Sequence, residues 1–313
     1  MANISKILDI FLLDRELKGN TEKTIFNYRQ QIQYFIDFTG DIDVKNINLH
    51  LLNEYQLYLK TKDRYENHPF KGKDVGSIKK ITLQSYIRQL RVFIKYLYDE
   101  EYLEIDLTKK FKLPKAPKKV IEVLTDDEIN ILFSVYKETS ELELRNKCII
   151  ALMLDSGLRK SEVIALEYDD IYFTNNYIKV SGKGQKERIV PLGVTTKKLL
   201  MKYISNRSMT EYQSKRLFIN KNLMPLSDNA IKMMFVRLKK RTGIERLHAH
   251  LLRHTFATKY IINGGDIFSL QQILGHTTLD MVRRYSHLAS AYVISNHKRL
   301  SPLDELHRKK YSY

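Results

Sequence analysis

The sequence predicts a mainly α-helical chain of two domains, the second of which carries a small antiparallel β-sheet. Length is the first reason, because 313 residues suit two domains at roughly 100–200 residues each. Periodicity is the second. Apolar residues recur at three- and four-residue steps through much of the chain, the spacing that lines one face of a helix. The third reason is a break in that pattern between Tyr168 and Leu192. There two short runs rich in β-branched and aromatic residues flank Ser181-Gly182-Lys183-Gly184-Gln185, which reads as two strands joined by a Gly-bracketed turn.

Taken in order, Thr24 to Phe38 carries a stripe of Ile25, Tyr28, Ile32, Phe35 and Ile36, and a second stripe runs through Leu83, Tyr86, Ile87, Leu90, Phe93, Ile94 and Leu97. Between the two helices, the Gly- and Lys-rich stretch Thr61 to Lys80 is expected to be a long loop. The basic residues among the stripes, Arg29, Lys79, Lys80, Arg88, Arg91 and Lys95, are candidates for phosphate contact. Two prolines and four lysines in Lys112-Leu113-Pro114-Lys115-Ala116-Pro117-Lys118-Lys119 cannot continue a helix and favour an extended strap. The first domain is therefore assigned to residues 1–112, a linker to 113–124 and the second domain to 125–313. Thr125-Asp126-Asp127-Glu128 opens that domain with capping-box spacing. Its strands are expected at Tyr177–Val180 and Arg188–Leu192, and further helices around Thr195–Ser205, Asp228–Thr242, His250–Asn263 and Asp266–Leu274.

Composition narrows the function. Lys and Arg number 53 against 36 Asp and Glu, a net charge of +17, and most of the excess lies beyond Lys115. Such an excess points to a polyanion, since cations that displace condensed counterions from a phosphate backbone gain affinity. A single cysteine, Cys148, rules out an internal disulfide or a thiolate metal cluster and points to a reducing compartment. Asp9 and Asp14 interrupt the N-terminal stretch before a signal-peptide core develops. The apolar run Cys148 to Leu154 falls far short of the ~20 residues a membrane span needs. A soluble, cytoplasmic protein with no membrane partner is expected.

Four short pieces place polar groups in apolar settings. In Ser156-Gly157-Leu158-Arg159-Lys160-Ser161-Glu162, Arg159 and Glu162 are spaced to share a helical face, so the carboxylate can hold the guanidinium while its fork stays available for a phosphate. Gly182-Lys183-Gly184 puts a lysine at the tip of a hairpin; it lacks the GxxxxGK[ST] of a P-loop. In His248-Ala249-His250-Leu251-Leu252-Arg253-His254, His250 and Arg253 share a face while Leu251, Leu252 and Phe256 turn to the core. The histidine spacing lacks the HExxH glutamate, which ranks a metal below phosphate contact. Finally, Leu274-Gly275-His276 is followed by Tyr285 between an arginine pair and His287. Arginines, a lysine, histidines and a tyrosine suit phosphoryl transfer without a metal, in which cations stabilise the non-bridging oxygens and an acid protonates the leaving oxygen. A phenol of pKa ~10 needs proton removal and a positive field to become a useful nucleophile.

In order and spacing, Ser-Gly-Leu-Arg-Lys-Ser-Glu at 156–162, Ser-Gly-Lys-Gly-Gln-Lys-Glu-Arg-Ile-Val-Pro-Leu at 181–192, His-Leu-Leu-Arg-His-Thr-Phe-Ala-Thr at 250–258, Leu-Gly-His at 274–276 and Tyr-Ser-His at 285–287 closely resemble the tyrosine recombinases. This is the phage-integrase and Xer-like family of site-specific DNA recombinases. The resemblance implies a helical N-terminal core-binding domain that clamps DNA and a C-terminal catalytic domain ending in an oligomerisation tail. It implies Tyr285 as the nucleophile that forms a 3′-phosphotyrosyl intermediate, Arg159 and Arg253 on the non-bridging oxygens, and Lys183 as acid for the 5′ oxygen. His250 would assist proton transfer, His276 would bond the phosphate and Glu162 would buttress Arg159. Lys186 and Arg188 join the residues named above as expected DNA contacts. No metal, other cofactor or ATP is implied. The expected partners are duplex DNA at a recombination site, three further copies of the chain acting through a Holliday junction, and accessory proteins. The segment 288–313 would dock on a neighbour through Leu288, Tyr292 and Val293, and the protein would work at the nucleoid. Roles in mobile-element integration and excision or in chromosome-type resolution both fit. Two departures are Ser156 where Thr is common and the length of the 61–80 loop. The alternatives are a type IB topoisomerase-like relaxing enzyme and a catalytically silent DNA-binding accessory protein.

Overall fold

A computed structural model describes residues 2–62, 76–115, 121–182, 187–207, 214–275, 297 and 301–304. The chain divides into two compact units, Met1–Lys119 and Val120–Tyr313, each with its own core.

In the first unit the described helices are α1 (Ile4–Leu17), α2 (Glu22–Thr39), α3 (Leu49–Thr61) and α4 (Lys80–Asp99). The stripes read from the sequence are the buried faces: Ile32, Phe35 and Ile36 on α2, and Leu83, Ile87, Leu90, Phe93, Ile94 and Leu97 on α4. Phe11 of α1 sits at their centre, meeting Tyr28, Phe93 and Tyr96 edge-on at centroid distances of 5.2, 5.3 and 5.1 Å. Edge-to-face contact of this kind adds to the gain from burial. Most of the expected 61–80 loop, residues 63–75, lies outside the described residues. The chain leaves the unit along α4, where Gln84 donates to the carbonyl of Pro114 at 3.0 Å and Arg91 to that of Phe111.

The second unit begins with the predicted capping box, in which Thr125 Oγ1 accepts from Glu128 N and Glu128 Oε2 from Thr125 N. It starts α5 (Asp126–Ser134), and α6 (Glu141–Asp155), α7 (Lys160–Ala165), α8 (Val194–Asn206), α9 (Asp228–Thr242), α10 (Ala249–Ile262) and α11 (Ile267–Leu274) follow. The sheet has the order β1-β2-β3, all antiparallel, from Ile171–Tyr172, Tyr177–Ser181 and Glu187–Pro191. The first of these strands, two residues long, is not among the predicted ones. α6 runs through the core with Cys148, Ile149, Leu152 and Met153 buried, and burial pushes the Cys148 thiol pKa well up. Leu124 N donates to Thr255 Oγ1 of α10 at 2.9 Å, fastening the start of the unit to the helix that carries His250 and Arg253.

Candidate active site

The site is built on the turn between α6 and α7. Gly157 takes φ +64, and a Cβ there would lie 2.5 Å from Cδ1 of Phe256, so both conformation and contact demand glycine. Ser156 Oγ donates to the Pro191 carbonyl at 3.0 Å, joining the turn to the end of β3. Arg159 is not inside α7, as the shared-face reading had it, but stands at its N-cap, with Glu162 at the third helical position. The pair forms nonetheless: Glu162 accepts from Arg159 N at 2.8 Å and from its Nη1 at 2.7 Å.

Glu162 has a second arginine. Arg188 of β3 lays both terminal nitrogens on the same carboxylate, Nη1 to Oε1 and Nη2 to Oε2, each at 2.8 Å. The Glu162 side chain is only 4% exposed and that of Arg188 12%. Burial alone would raise the Glu162 pKa, but the Arg188 hydrogen bonds and charge, with the hydrogen bonds from Arg159, overcome it and hold the pKa at about 2. The carboxylate is therefore ionised at any physiological pH.

Arg253, three residues after His250 on α10, is 5% exposed. Its Nη1 donates to the Gly157 carbonyl and its Nη2 to that of Leu274 at 2.7 Å. His250 keeps an exposed edge, yet its pKa lies below 6.5, first through desolvation and then through the charges of Arg253, His248, Arg159 and Lys160. The imidazole is neutral at pH 7 and able to take up a proton.

These groups converge on one end of α11. Gly275, left-handed at the C-cap, closes the helix by donating to the Gln271 and Gln272 carbonyls, a common helix ending. The next three carbonyls each meet a different arginine. Ile273 accepts from Arg188 Nε at 2.7 Å, Leu274 from Arg253 at 2.7 Å and Gly275 from Arg159 Nη2 at 3.4 Å. A helix C-terminus is electronegative and its last carbonyls lack intrahelical partners. It is a suitable anchor for guanidinium groups that would otherwise repel one another. Among the described residues one carboxylate stands against three guanidinium groups, which leaves the cluster net positive, and Arg159, 32% exposed, is its most exposed arginine.

A family model described as Phage integrase family matches residues 122–291, more than half of the chain, and one described as Phage integrase SAM-like domain matches residues 6–113. The chain belongs to the phage integrase family. Among its relatives, tyrosine recombinase XerD of Halalkalibacterium halodurans is 28% identical over 291 residues, 91% of this chain and 93% of that protein. Tyrosine recombinase XerC of Thermodesulfovibrio yellowstonii is 28% identical over 313 residues, 97% and 99% of the two. The crystal structure of XerA recombinase covers 94% of this chain and 98% of its own at 25% identity and a TM-score of 0.52. The Tn1549 transposon integrase, solved with a circular intermediate DNA, has the same fold, with a TM-score of 0.74 at 18% identity over 96% of this chain and 100% of its own.

Within the integrase fold the structure brings together Arg159, Glu162, His250 and Arg253. Lys183, Lys186, His276 and Tyr285 lie outside the described residues, as do Leu288, Tyr292 and Val293. Of the expected DNA contacts, Lys80, Arg88, Arg91 and Lys95 share one face of α4 by their spacing, and Lys79 caps its start. Lys79, Lys80 and Arg88 are exposed. Arg91 is spent on the Phe111 carbonyl, Lys95 pairs with Asp99 at 2.9 Å and Asp106 at 3.2 Å, and Arg29 pairs with Asp9 at 2.9 Å. Arg188 departs from the expectation: its fork faces Glu162, inside the protein. Strand alternation was the available signal, since Arg188 pairs with Val180 and lies on the face of Val190 and Ile178, both buried.

Proposed function

We propose that the protein is a site-specific DNA recombinase that cleaves and rejoins strands by transesterification. The Tyr285 Oη attacks the scissile phosphorus, an O–P bond forms, and the bond to the 5′ oxygen breaks. The result is a 3′-phosphotyrosyl enzyme and a 5′ hydroxyl. The phenol proton leaves with help from neutral His250, Lys183 protonates the departing oxygen, and Arg159, Arg253 and His276 hold the non-bridging oxygens. Glu162 buttresses Arg159. The bond energy is retained in the covalent intermediate, so neither ATP nor a metal ion is called on. Four copies would act on two duplex sites through a Holliday junction, each tail (288–313) docking on a neighbour, in the cytoplasm at the nucleoid.

The observation that carries this reading is the convergence of Arg159 and Arg253, from motifs about a hundred residues apart, beside a neutral His250. Fixed cations aimed at developing phosphate charge are a large term in such catalysis. The test is capture from a library of nicked duplexes with a randomised core, collecting DNA that stays bound to protein in detergent. Sequence-enriched adducts are expected, formed equally in EDTA without ATP and absent with Tyr285→Phe. Adducts without enrichment would instead favour a DNA-relaxing enzyme, and binding without any adduct a silent accessory protein.

A further inference from the structure

We infer that Arg188 is a positioning residue for the reaction: by occupying the Glu162 carboxylate it keeps the Arg159 fork from closing on that carboxylate, and so presents it to the phosphate. This rests on the reading of Arg159 as a phosphate-binding group.

A carboxylate and a guanidinium left to themselves prefer the bidentate arrangement, two parallel N–H···O bonds. Here Arg188 takes that arrangement, at 2.8 Å on both oxygens. Arg159 is left with Oε1 for Nη1 and, through its backbone nitrogen, Oε2. Among the described residues its Nη2 reaches the Gly275 carbonyl, at 3.4 Å. The same carboxylate thus holds one guanidinium by two nitrogens and the other by one, and the singly held guanidinium belongs to the more exposed side chain, 32% against 12%.

The place of Arg188 in the fold suits this task. A third donor, Nε, fixes it to Ile273, next to the carbonyls used by Arg253 and Arg159. Its aliphatic stem fills the space where a Cβ on Gly275 would come within 3.0 Å of its Cδ. It also sits second in β3, five residues beyond Lys183, so one side chain ties the start of that strand to Glu162 and to Ile273, three residues before His276. Lysine in its place could reach one oxygen but has no fork to cover two.

The test uses the full chain and the duplex recovered by covalent capture. Wild type, Arg188→Lys, Arg188→Met, Glu162→Gln and the double variant Arg188→Met/Glu162→Gln are compared for DNA affinity, single-turnover cleavage and thermal midpoint. Arg188→Lys is expected to slow cleavage by about 10²-fold, the scale of an ångström-level misplacement, with affinity changed by less than about threefold. The double variant should be no slower than the slower single one, because both act through the same guanidinium. Wild-type cleavage by folded Arg188→Lys, parallel loss of affinity and cleavage, or multiplying losses in the double variant would overturn the inference. If Arg188→Met does not fold, Arg188→Lys decides alone. A wild-type chain that captures no duplex would instead sink the recombinase reading itself.

Discussion

At the residue scale, Gly157 and His250 make the most exposed predictions. Gly157→Ala would set a methyl against Phe256 in a left-handed backbone. Strain of roughly 1–2 kcal/mol and overpacking of roughly 1–3 kcal/mol should lower the unfolding free energy by about 2–5 kcal/mol, read from denaturant curves. For His250 the proposed role in proton transfer uses the neutral form, and its folded pKa lies below the ordinary 6.5. Cleavage should therefore hold from pH 8 down past 6.5 and fall only at lower pH, as the imidazole protonates; a pH–rate profile bending above 6.5 would contradict this. Folding stability has the same sign for this group, since the unfolded chain takes up the proton first and stability declines as pH drops below 6.5. Glu162 acts lower still. Its pKa of about 2 against an ordinary 4.5 gives stability that is complete above 4.5 and lost as pH falls towards 2.

At the element scale, two helix caps separate folding from chemistry. Thr125 caps α5, and Asp266 caps α11 by accepting from Phe268 N and Ser269 N, both at 2.9 Å. Replacing either with alanine should cost about 1 kcal/mol. Only Asp266→Ala should also slow cleavage, by up to about fivefold if that whole cost falls on the transition state, because the far end of α11 anchors three arginines. Single-turnover rates and melting of the two variants, side by side, check it. The elements themselves were largely legible in the sequence. α9 matches its expected span, Asp228–Thr242, and the hairpin strands and the Thr125 box fall where turn and cap chemistry put them. β1 escaped because two residues carry no alternation. What periodicity cannot show is convergence: Arg188, Arg253 and Arg159 reach Ile273, Leu274 and Gly275 from 85, 21 and 116 positions away. The burial of Arg253 was hidden for the same reason, since its lining comes from a turn and a helix end remote in sequence.

At the scale of the whole molecule, a net charge of +17 includes the few arginines gathered at the site, and the proposed function assigns the remaining cations to holding DNA. The two groups should respond differently to experiment. Affinity should fall steeply with salt, each neutralised phosphate adding about 0.9 to the log–log slope. Lys183→Ala should alter that slope by no more than about one phosphate while slowing cleavage far more, as expected of an acid used only in the transition state. Filter binding across a salt series and single-turnover assays measure the two quantities separately, and equal losses in both would refute the role of Lys183. Cys148 brings a practical benefit at this scale. The chain's single sulfhydryl is enclosed in the α6 core with its thiolate disfavoured, and the thiolate is the form that reacts. A maleimide dye should therefore pass over the folded native protein and attach only to a cysteine introduced on its surface. The wild-type background is then ready for fluorescence tests of the proposed assembly on DNA one molecule at a time, and any labelling of Cys148 itself becomes a gauge of unfolding.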